Sequence, residues 1–416
     1  MKNIVKGAVL SVVTASAVMA AGYKVPEQSL NSMALSAAYV AHTSGADTAY
    51  YNPANMAFMD DKQYIEGDLT LAHLPANVYT LIDPVSGESE EENILIPNLH
   101  YVAKAIGNFR WGVSLTAPAG LSKRWNTPFQ KASAQEFTLK VIELSPSFSY
   151  RVTDNFSIGG GVRVVYSEGI VKGDASAIYA MGQAPAPLAI DMSGDTFKFG
   201  YNLALSYRPT DDIAIAATYR SKIDLKEEGT ATLSGIPGAT YQGNANVTIP
   251  LPAALNLSIS KTWDKTFTVE LNYERTYWSA YKTLDFHYDS DIGPYHQVYG
   301  TPIPKNWKDT NTFRIGATME MDKITVMMGF AIDETPIPKD HVGFELPDSD
   351  AKIFSMGFRY HQTESLSWGL AFLYDDKEPF SLAPGEHVDP NSVLAHGGSF
   401  SGGGAYLTTL GLSYEF

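Results

Sequence analysis

The sequence lacks cysteine altogether, which excludes disulfide bonds and thiolate metal sites. Charged residues make up only 18% of its 416 residues, whereas roughly 25% is usual for a soluble protein. The formal net charge is −15, and no basic stripe is present that could neutralise the phosphates of a nucleic acid. Beyond the first twenty residues the chain also lacks the ~18 consecutive apolar residues that a membrane helix requires. A helical membrane protein is therefore excluded, whereas a β-barrel hides its apolar residues in every second position.

Residues 1–20 have the features of a cleavable secretion signal. Lys2 and Lys6 form a positive start, and a short apolar stretch from Gly7 to Val18 follows it. The small residues around Ala20 suit cleavage, so the mature chain is expected to begin at Ala21. The alternative is an uncleaved amphipathic helix.

Alternation with a period of two is clearest at the end of the chain. One face of this stretch carries Tyr406, Leu410, Leu412, Tyr414 and Phe416, and the other carries Thr409, Gly411, Ser413 and Glu415. In an outer-membrane barrel the apolar face meets lipid and the inner face can be polar. The terminal Phe resembles the signal that the outer-membrane assembly machinery reads.

The polar face of the predicted strands carries charges that a soluble core would exclude, since burying a lone charge is costly. These residues are Glu66, Asp68, Glu143, Arg163, Arg208, Arg220, Glu270, Arg314 and Arg359. Both signs occur, which suits mutually paired charges around a lumen or a plug. Aromatic residues at strand ends, among them Tyr150, Tyr166, Tyr207, Tyr219 and Tyr360, are typical of the girdles where lipid meets water.

The spacing of turn residues predicts fourteen strands that start near Gln63. Tight turns are expected around residues 107–108, 153–155, 210–212, 264–265, 322–323 and 362–365. Long connections are expected at 75–95, 122–135, 171–195, 223–246, 289–309, 334–350 and 376–402. Alternation of short and long connections with an even strand number is typical of a bacterial outer-membrane barrel, with the short turns in the periplasm. The sequence therefore predicts an all-β transmembrane barrel of fourteen antiparallel strands over residues 62–416.

Residues 21–61 do not follow the strand pattern. They are rich in small residues, and a segment of about forty residues cannot fold alone without stabilising cross-links or a partner surface. We expect them to form a small N-terminal hatch packed inside the lumen.

Several motifs resemble the FadL family, the outer-membrane transporters of long-chain fatty acids and aromatic hydrocarbons. They are Ala21-Gly22-Tyr23, Glu27-Gln28-Ser29, Asp47-Thr48-Ala49-Tyr50-Tyr51-Asn52-Pro53-Ala54, the stretch from Trp111 to Leu121, and the stretch from Leu144 to Gly161. Their order and spacing match across the whole mature chain. The resemblance implies capture of a hydrophobic ligand between extracellular loops and binding above a hatch. It also implies passive sideways release into the membrane through a kinked third strand.

The expected loops contain candidate ligand-binding residues. A long-chain solute needs an apolar relay, because each methylene costs about 0.8 kcal/mol to expose to water. Ile178, Tyr179, Met181, Leu188 and Ile190 make one loop unusually apolar, and Leu233 and Ile236 add to the next. Alternatively, these residues only pin the loops together.

The headgroup of the ligand is left open by the sequence. Arg163, Lys172, Lys123 and Arg124 could meet a carboxylate, but Ser167-Glu168 stands where a basic group is expected. A neutral hydrocarbon therefore remains possible.

Two short motifs are candidates for gating. Pro118-Ala119-Gly120 should loosen strand pairing, because proline cannot donate to the ladder and glycine marks bends and bulges. It is either a lateral opening or a frayed strand end. Asn52-Pro53-Ala54 should form a turn that anchors the hatch, with gating as a secondary effect.

Two other functions were weighed. A general diffusion porin normally has sixteen or eighteen strands and an open channel. An outer-membrane lipid enzyme would need a serine and a histidine within hydrogen-bond reach, and His396 and Ser399 lack a nucleophile-elbow pattern. The histidines also lack metal-ligand spacing, so no catalysis, cofactor or metal is expected. The expected partners are a hydrophobic small molecule, outer-membrane lipid with lipopolysaccharide and, during biogenesis, the barrel-assembly machinery, around a monomeric barrel.

Overall fold

Fourteen antiparallel strands follow one another in chain order in a computed structural model that describes residues 22–416. The predicted secretion signal at residues 1–20 lies outside the described residues. The strands are β1 (Tyr64–Leu74), β2 (Glu92–Val102), β3 (Phe109–Arg124), β4 (Glu136–Thr153), β5 (Phe156–Asp174), β6 (Ala189–Thr210), β7 (Ile213–Arg220 and Ile223–Ile236), β8 (Ala239–Leu251 and Ala254–Trp263), β9 (Phe267–Thr276), β10 (Thr310–Glu320), β11 (Ile324–Asp333), β12 (Ala351–His361), β13 (Leu366–Lys377) and β14 (Ala405–Glu415). The first strand pairs with the last, from Tyr64 opposite Glu415 to His73 opposite Tyr406. This closure confirms the predicted fourteen-stranded barrel.

The two faces of the wall have the predicted inverted polarity. In β14, Leu410 and Leu412 are each 55% exposed on the outside, whereas Thr409 is 0% and Ser413 6% exposed on the inside. An aqueous protein would bury the leucines, since burial of apolar surface stabilises by about 25 cal/mol per Å². Here hydrocarbon takes the place of that core.

The six short connections lie where the sequence predicted them, at the end of the barrel where β1 begins and β14 ends. The long connections lie at the opposite end, with one exception. β7 and β8 continue through the predicted loop 223–246 and meet at the two-residue turn Pro237-Gly238. Gly238 has φ +77°, which glycine adopts readily. The prediction of a long loop there was wrong because the outward residues of this hairpin are polar, as they must be above the membrane.

Similar strand extension shortens another predicted loop. β5 runs to Asp174 and β6 begins at Ala189. As a result Ile190, like Leu233 and Ile236, lies in a strand and not in a loop.

Small elements cover the end of the barrel with the long connections. A four-stranded sheet joins Asn77–Thr80, Gly87–Glu88, Phe380–Leu382 and Gly398–Gly402, and a strand pair joins Thr283–Leu284 to Ile303–Pro304. Phe286–Tyr288 pairs with β8. The helices here are Pro128–Ala134, Ser176–Ala180 and His296–Tyr299, with 3-10 turns at Trp278–Ala280, Gly293–Tyr295, Lys339–His341 and Val393–His396. These elements cover a large buried apolar cluster in this half of the barrel.

The N-terminal segment, residues 22–61, packs against the inner face of the wall. It contains α1 (Leu30–Ala34), α2 (Thr48–Tyr51) and the 3-10 helix Pro53–Phe58. Ser29 caps the start of α1, and its side chain accepts a hydrogen bond from the Ser32 N–H. A Cβ on Gly329 of β11 would lie 2.2 Å from the Leu35 carbonyl carbon. The backbone of the wall at Gly329 therefore lies in direct contact with the backbone of the N-terminal segment at Leu35. None of the helices in residues 22–416 has the length and apolarity needed to cross a membrane.

Candidate functional site

Four aromatic residues form a box inside the capped half of the barrel. The ring centroids lie 4.8 Å apart for Tyr23 and Trp278, 5.0 Å for Trp278 and Trp307, and 4.9 Å for Tyr281 and Trp307. The Tyr23 hydroxyl donates to the Pro250 carbonyl. Burial raises the pKa of the Tyr281 hydroxyl, so the box is uncharged at neutral pH. Edge-to-face packing of this kind gives a rigid apolar surface.

Two apolar cavities meet beside this box. The outer groove lies on the inner side of β4 to β8. Most of its lining residues are apolar, and Glu227 is one of the polar ones. The inner pocket lies against Tyr23, Tyr281 and Trp307. Phe137 and Ile249 line both cavities. The two cavities are therefore neighbours that share part of their apolar lining.

A third space, the lower cavity, lies beneath the inner pocket and is lined by both apolar and charged residues. Pro118, Arg163 and Glu274 are among them. The Arg163 Nη2 lies 2.9 Å from Glu143 Oε2, and the Lys24 Nζ lies 2.5 Å from Glu274 Oε2. The first of these pairs confirms the predicted pairing of inward charges for Arg163 and Glu143.

The wall of the barrel is open between β2 and β3. These strands pair only from Leu99 opposite Leu115 to Val102 opposite Gly112, although both run on toward the capped end. Above the opening the Glu90 N–H donates to the Arg124 carbonyl. We call the unpaired stretch, residues 93–98 against 116–123, the lateral window. On its other side β3 pairs with β4 through a register shift between Thr116 and Ala119.

The N-terminal segment occupies the free edge of β3 at this window. The Val25 N–H donates to the Pro118 carbonyl at 2.9 Å, and the Gly120 N–H donates to the Tyr23 carbonyl at 2.8 Å. The Gln28 side chain completes the contact, because its amide group donates to the Ala117 carbonyl and accepts from the Ala117 N–H. The predicted Pro118-Ala119-Gly120 stretch thus lies where regular pairing is broken and where the segment takes the place of β2.

Inward-facing charged residues hold the rest of the segment. The Glu270 carboxylate accepts from three successive backbone N–H groups of residues 40–42, at 2.6 to 2.9 Å. On β3 the Arg110 guanidinium donates to the carbonyl oxygens of Met56, Met59 and Asp60. The three successive N–H groups that donate to the Glu270 carboxylate form a strong anion-binding arrangement.

The Asn52-Pro53-Ala54 turn is part of the same anchoring. The Asn52 side chain accepts from the Ala54 N–H at 3.1 Å and donates to the Val40 carbonyl at 2.8 Å. The Ser157 hydroxyl on β5 donates to the Ala54 carbonyl at 2.8 Å. The turn is therefore bonded both within the segment and to the wall.

The predicted ligand-binding residues separate into three groups. Leu188, Ile190, Leu233 and Ile236 belong to one apolar cluster at the top of β6 and β7. Ile178, Tyr179 and Met181 lie on and just after the helix Ser176–Ala180, outside that cluster, with Tyr179 47% and Met181 46% exposed. Arg163 lines the lower cavity, where its guanidinium donates hydrogen bonds to the Glu143 carboxylate and to the Ser221 carbonyl.

The aromatic box and Glu227 were missed by the sequence analysis. Trp278, Tyr281 and Trp307 fall in one long connection, and that local density of large aromatics was the available signal. Tyr23 is part of the box because of the path that the N-terminal segment follows inside the barrel. The sequence pattern does not predict that path. Glu227 was assigned to a loop that is in fact a strand.

His396 and Ser399, weighed as a possible catalytic pair, lie in the covering elements. His396 ends a 3-10 turn, and Ser399 pairs with Thr80 in the four-stranded sheet. No hydrogen bond joins the two side chains in the described part of the chain.

Comparison with known proteins gives a consistent result. Residues 11–416 match the model of a family described as outer membrane protein transport protein (OMPP1/FadL/TodX). The long-chain fatty acid transport protein of Escherichia coli K12 is 25% identical, over 92% of this chain and 94% of its own length. A FadL homologue from Pseudomonas aeruginosa has a similar structure, with TM-score 0.79, 20% identity, and coverage of 95% and 99% of the two chains. The toluene transporter TodX of Pseudomonas putida has TM-score 0.72 and 17% identity, with coverage of 95% and 99%.

Proposed function

Because the chain belongs to the OMPP1/FadL/TodX family of outer-membrane transport proteins, we propose that it carries out passive uptake of hydrophobic compounds across the outer membrane. The candidate substrates are long-chain fatty acids and aromatic or aliphatic hydrocarbons. The Escherichia coli relative is a long-chain fatty acid transport protein, and the Pseudomonas putida structure is that of a toluene transporter. The two neighbouring cavities with largely apolar lining, the outer groove and the inner pocket, support a substrate of this class.

The ligand enters the outer groove, moves into the inner pocket and leaves through the lateral window. Each apolar surface replaces water around the ligand, so the relay avoids the cost of exposing it. The observation that carries this route is the missing pairing of β2 and β3, where residues 23–28 bond to the free edge of β3 instead. Detachment of those residues opens the wall sideways to lipid. Since every step runs downhill into the membrane, no energy source is required.

The N-terminal segment acts as the hatch in this proposal. Residues 1–20 direct export, residues 21–61 close the lumen, and residues 62–416 form the wall. A general diffusion porin is not favoured, because the segment fills the space that an open channel needs. An outer-membrane lipid enzyme is not favoured, because the family consists of transport proteins. The barrel works as a monomer, inserted by the barrel-assembly machinery among lipid and lipopolysaccharide.

Closing the window tests the route. Replacing residues 118–120 with regular strand residues, Pro118→Thr with Gly120→Val, should restore pairing and abolish uptake of a radiolabelled fatty acid or toluene into proteoliposomes. Ala217→Val, in a regularly paired stretch of β7, is the matched control and should transport normally. Heat-modifiable gel mobility checks that each barrel is assembled. Undiminished uptake through the repaired wall would contradict the lateral route.

A further inference from the structure

In the described part of the chain, the wall contains a second stretch where neighbouring strands are not paired. Pairing of β6 with β7 runs up to Asn202 opposite Arg220 and resumes at Asp195 opposite Glu228. We call the stretch between these two pairs the β6–β7 seam. β6 stays paired with β5 along its whole length. β7 uses one residue more than β6 to pass the seam, which is typical of a bulge.

Ser221 marks the lower end of the seam. Its N–H donates to the Tyr201 carbonyl and its hydroxyl accepts from the Tyr201 N–H, both at 2.9 Å. The hydroxyl thus takes the place of a backbone carbonyl, and regular pairing ends there. The Arg163 guanidinium donates to the Ser221 carbonyl at 2.6 Å and fixes β7 at this point.

The exposure of an outward side chain at the seam shows that the neighbouring strand covers it poorly. Phe199 on β6 is 71% exposed. Outward phenylalanines on strands that are paired on both sides are 57%, 49% and 41% exposed, at Phe313, Phe354 and Phe372. Backbone groups left unpaired in lipid are costly, so membrane barrels normally close without a free edge. The seam is therefore a candidate for function.

One apolar side chain closes the seam from the inside. Ile223 on β7 is 3% exposed and belongs to the large apolar cluster in the capped half of the barrel. A Cβ on Gly200 of β6 would lie 2.7 Å from Ile223 Cδ1, so Ile223 fills the space that glycine leaves beside it. Leu225 and Val165, both 0% exposed, continue this apolar lining.

The seam lies between two of the cavities described above. Glu227 at its upper end lines the outer groove, and Arg220 at its lower end lines the lower cavity. On the outside, β6 contributes the exposed Phe197, whereas β7 contributes Lys222, paired with Asp224 at 2.8 Å. A solute in these cavities is therefore separated from the lipid along β6 by side chains and not by a hydrogen-bonded ladder.

We propose that the β6–β7 seam is a second lateral opening for apolar ligands, closed in this structure by the Ile223 side chain and independent of the N-terminal segment. This inference rests on the proposed function and adds a second gate to it. The lateral window opens when residues 23–28 detach, whereas the seam opens when one side chain leaves Gly200. Packing of Ile223 in the apolar cluster keeps the seam shut, so the wild-type barrel releases its ligand through the lateral window.

Truncation of Ile223 tests the assignment in a barrel whose lateral window has been repaired. Pro118→Thr with Gly120→Val should block uptake of toluene into proteoliposomes, and adding Ile223→Ala should restore uptake toward the wild-type rate. Leu233→Ala in the same background is the matched control and should not restore it. Leu233 is also 0% exposed and inward-facing, but it lies where β7 is paired on both sides. Heat-modifiable gel mobility checks that each barrel is assembled.

A second measurement does not depend on uptake. Because the chain has no cysteine, Leu225→Cys in the repaired barrel places a single thiol behind the seam. N-dodecylmaleimide dissolved in the bilayer should label this thiol faster once Ile223→Ala is added, and Leu233→Ala should leave the rate unchanged. An unchanged labelling rate with Ile223→Ala would overturn the second opening, and so would faster labelling without restored uptake. Absence of toluene uptake by the wild type would refute the proposed function, and labelling would still decide whether the seam opens.

Discussion

Replacing Gln28 with alanine should release the N-terminal segment from the lateral window. The Gln28 side chain is 0% exposed and makes three hydrogen bonds at this edge. Its Nε2 donates to the Ala117 carbonyl at 3.1 Å and to the Val25 carbonyl at 3.0 Å, and its Oε1 accepts from the Ala117 N–H at 2.8 Å. Gln28→Ala removes all three and leaves both backbone groups of Ala117 without a partner.

The size of the effect follows from the number of bonds. Each is worth about 1 kcal/mol net, so three amount to about 3 kcal/mol. Since 1.4 kcal/mol corresponds to a factor of ten, the detached state should become about 150-fold more populated. Water entering the window would reduce this figure by rehydrating the freed groups.

Hydrogen exchange gives the direct measurement. The Gly120 N–H is bonded to the Tyr23 carbonyl and not to Gln28, so its exchange reports detachment of the whole edge. Both Ala117 and Gly120 should exchange faster in Gln28→Ala, and the uptake rate should rise with them. Gln130→Ala is the matched control, because Gln130 is also 0% exposed but donates to the Val85 carbonyl in the covering elements. Faster exchange at Ala117 with unchanged exchange at Gly120 would refute the idea that residues 23–28 act as one clamp.

Two further predictions concern charged contacts. Glu270→Gln should speed exchange of the amides of residues 40–42 about tenfold or more, because charge-assisted bonds are the stronger class; unchanged exchange would show that Glu270 does not hold the segment. Burial raises the pKa of the Glu345 carboxyl, but the ion pair with Lys305 outweighs burial and holds it below its usual value. Stabilisation by this pair is therefore full above the usual pKa and is lost as the pH falls through the lowered value. Trp307 fluorescence in the inner pocket should show this acid transition in the wild type and not in Glu345→Gln.

The wall of the barrel could be predicted because each strand obeys one physical rule. Lipid on one side and a polar interior on the other force alternation, and residues such as Leu410 and Thr409 show it directly. The rule holds only where lipid is present. Above the membrane the outward face of β7 meets water, so the stretch Ile223–Ile236 loses the outward apolar residues on which the prediction relied. The same physics therefore explains both the success and the error.

The candidate site was less predictable, because it depends on where the N-terminal segment lies. Pro118 and Gly120 carry a local signal, since each weakens a ladder wherever it occurs. The signal at Arg163 is misleading, because a cation on the inner face can bind either a ligand or a neighbouring carboxylate. In this structure Arg163 pairs with Glu143. Which inward charge meets which partner is decided by how the strands pair, and the partners lie from 20 positions apart, as for Arg163 and Glu143, to 293, as for Arg359 and Glu66.

Two adjacent residues, Tyr23 and Lys24, join the inner pocket, the lateral window and the lower cavity. The Tyr23 ring lines the inner pocket, its carbonyl oxygen bonds to Gly120 at the window, and the Lys24 side chain pairs with Glu274 in the lower cavity. In the proposed route, a ligand that displaces the Tyr23 ring together with its backbone weakens the bond to Gly120. By reciprocity, a segment already detached from the window opens the pocket for the ligand. In the proposed route, occupancy of the pocket and opening of the wall are thus coupled through the peptide unit between Tyr23 and Lys24.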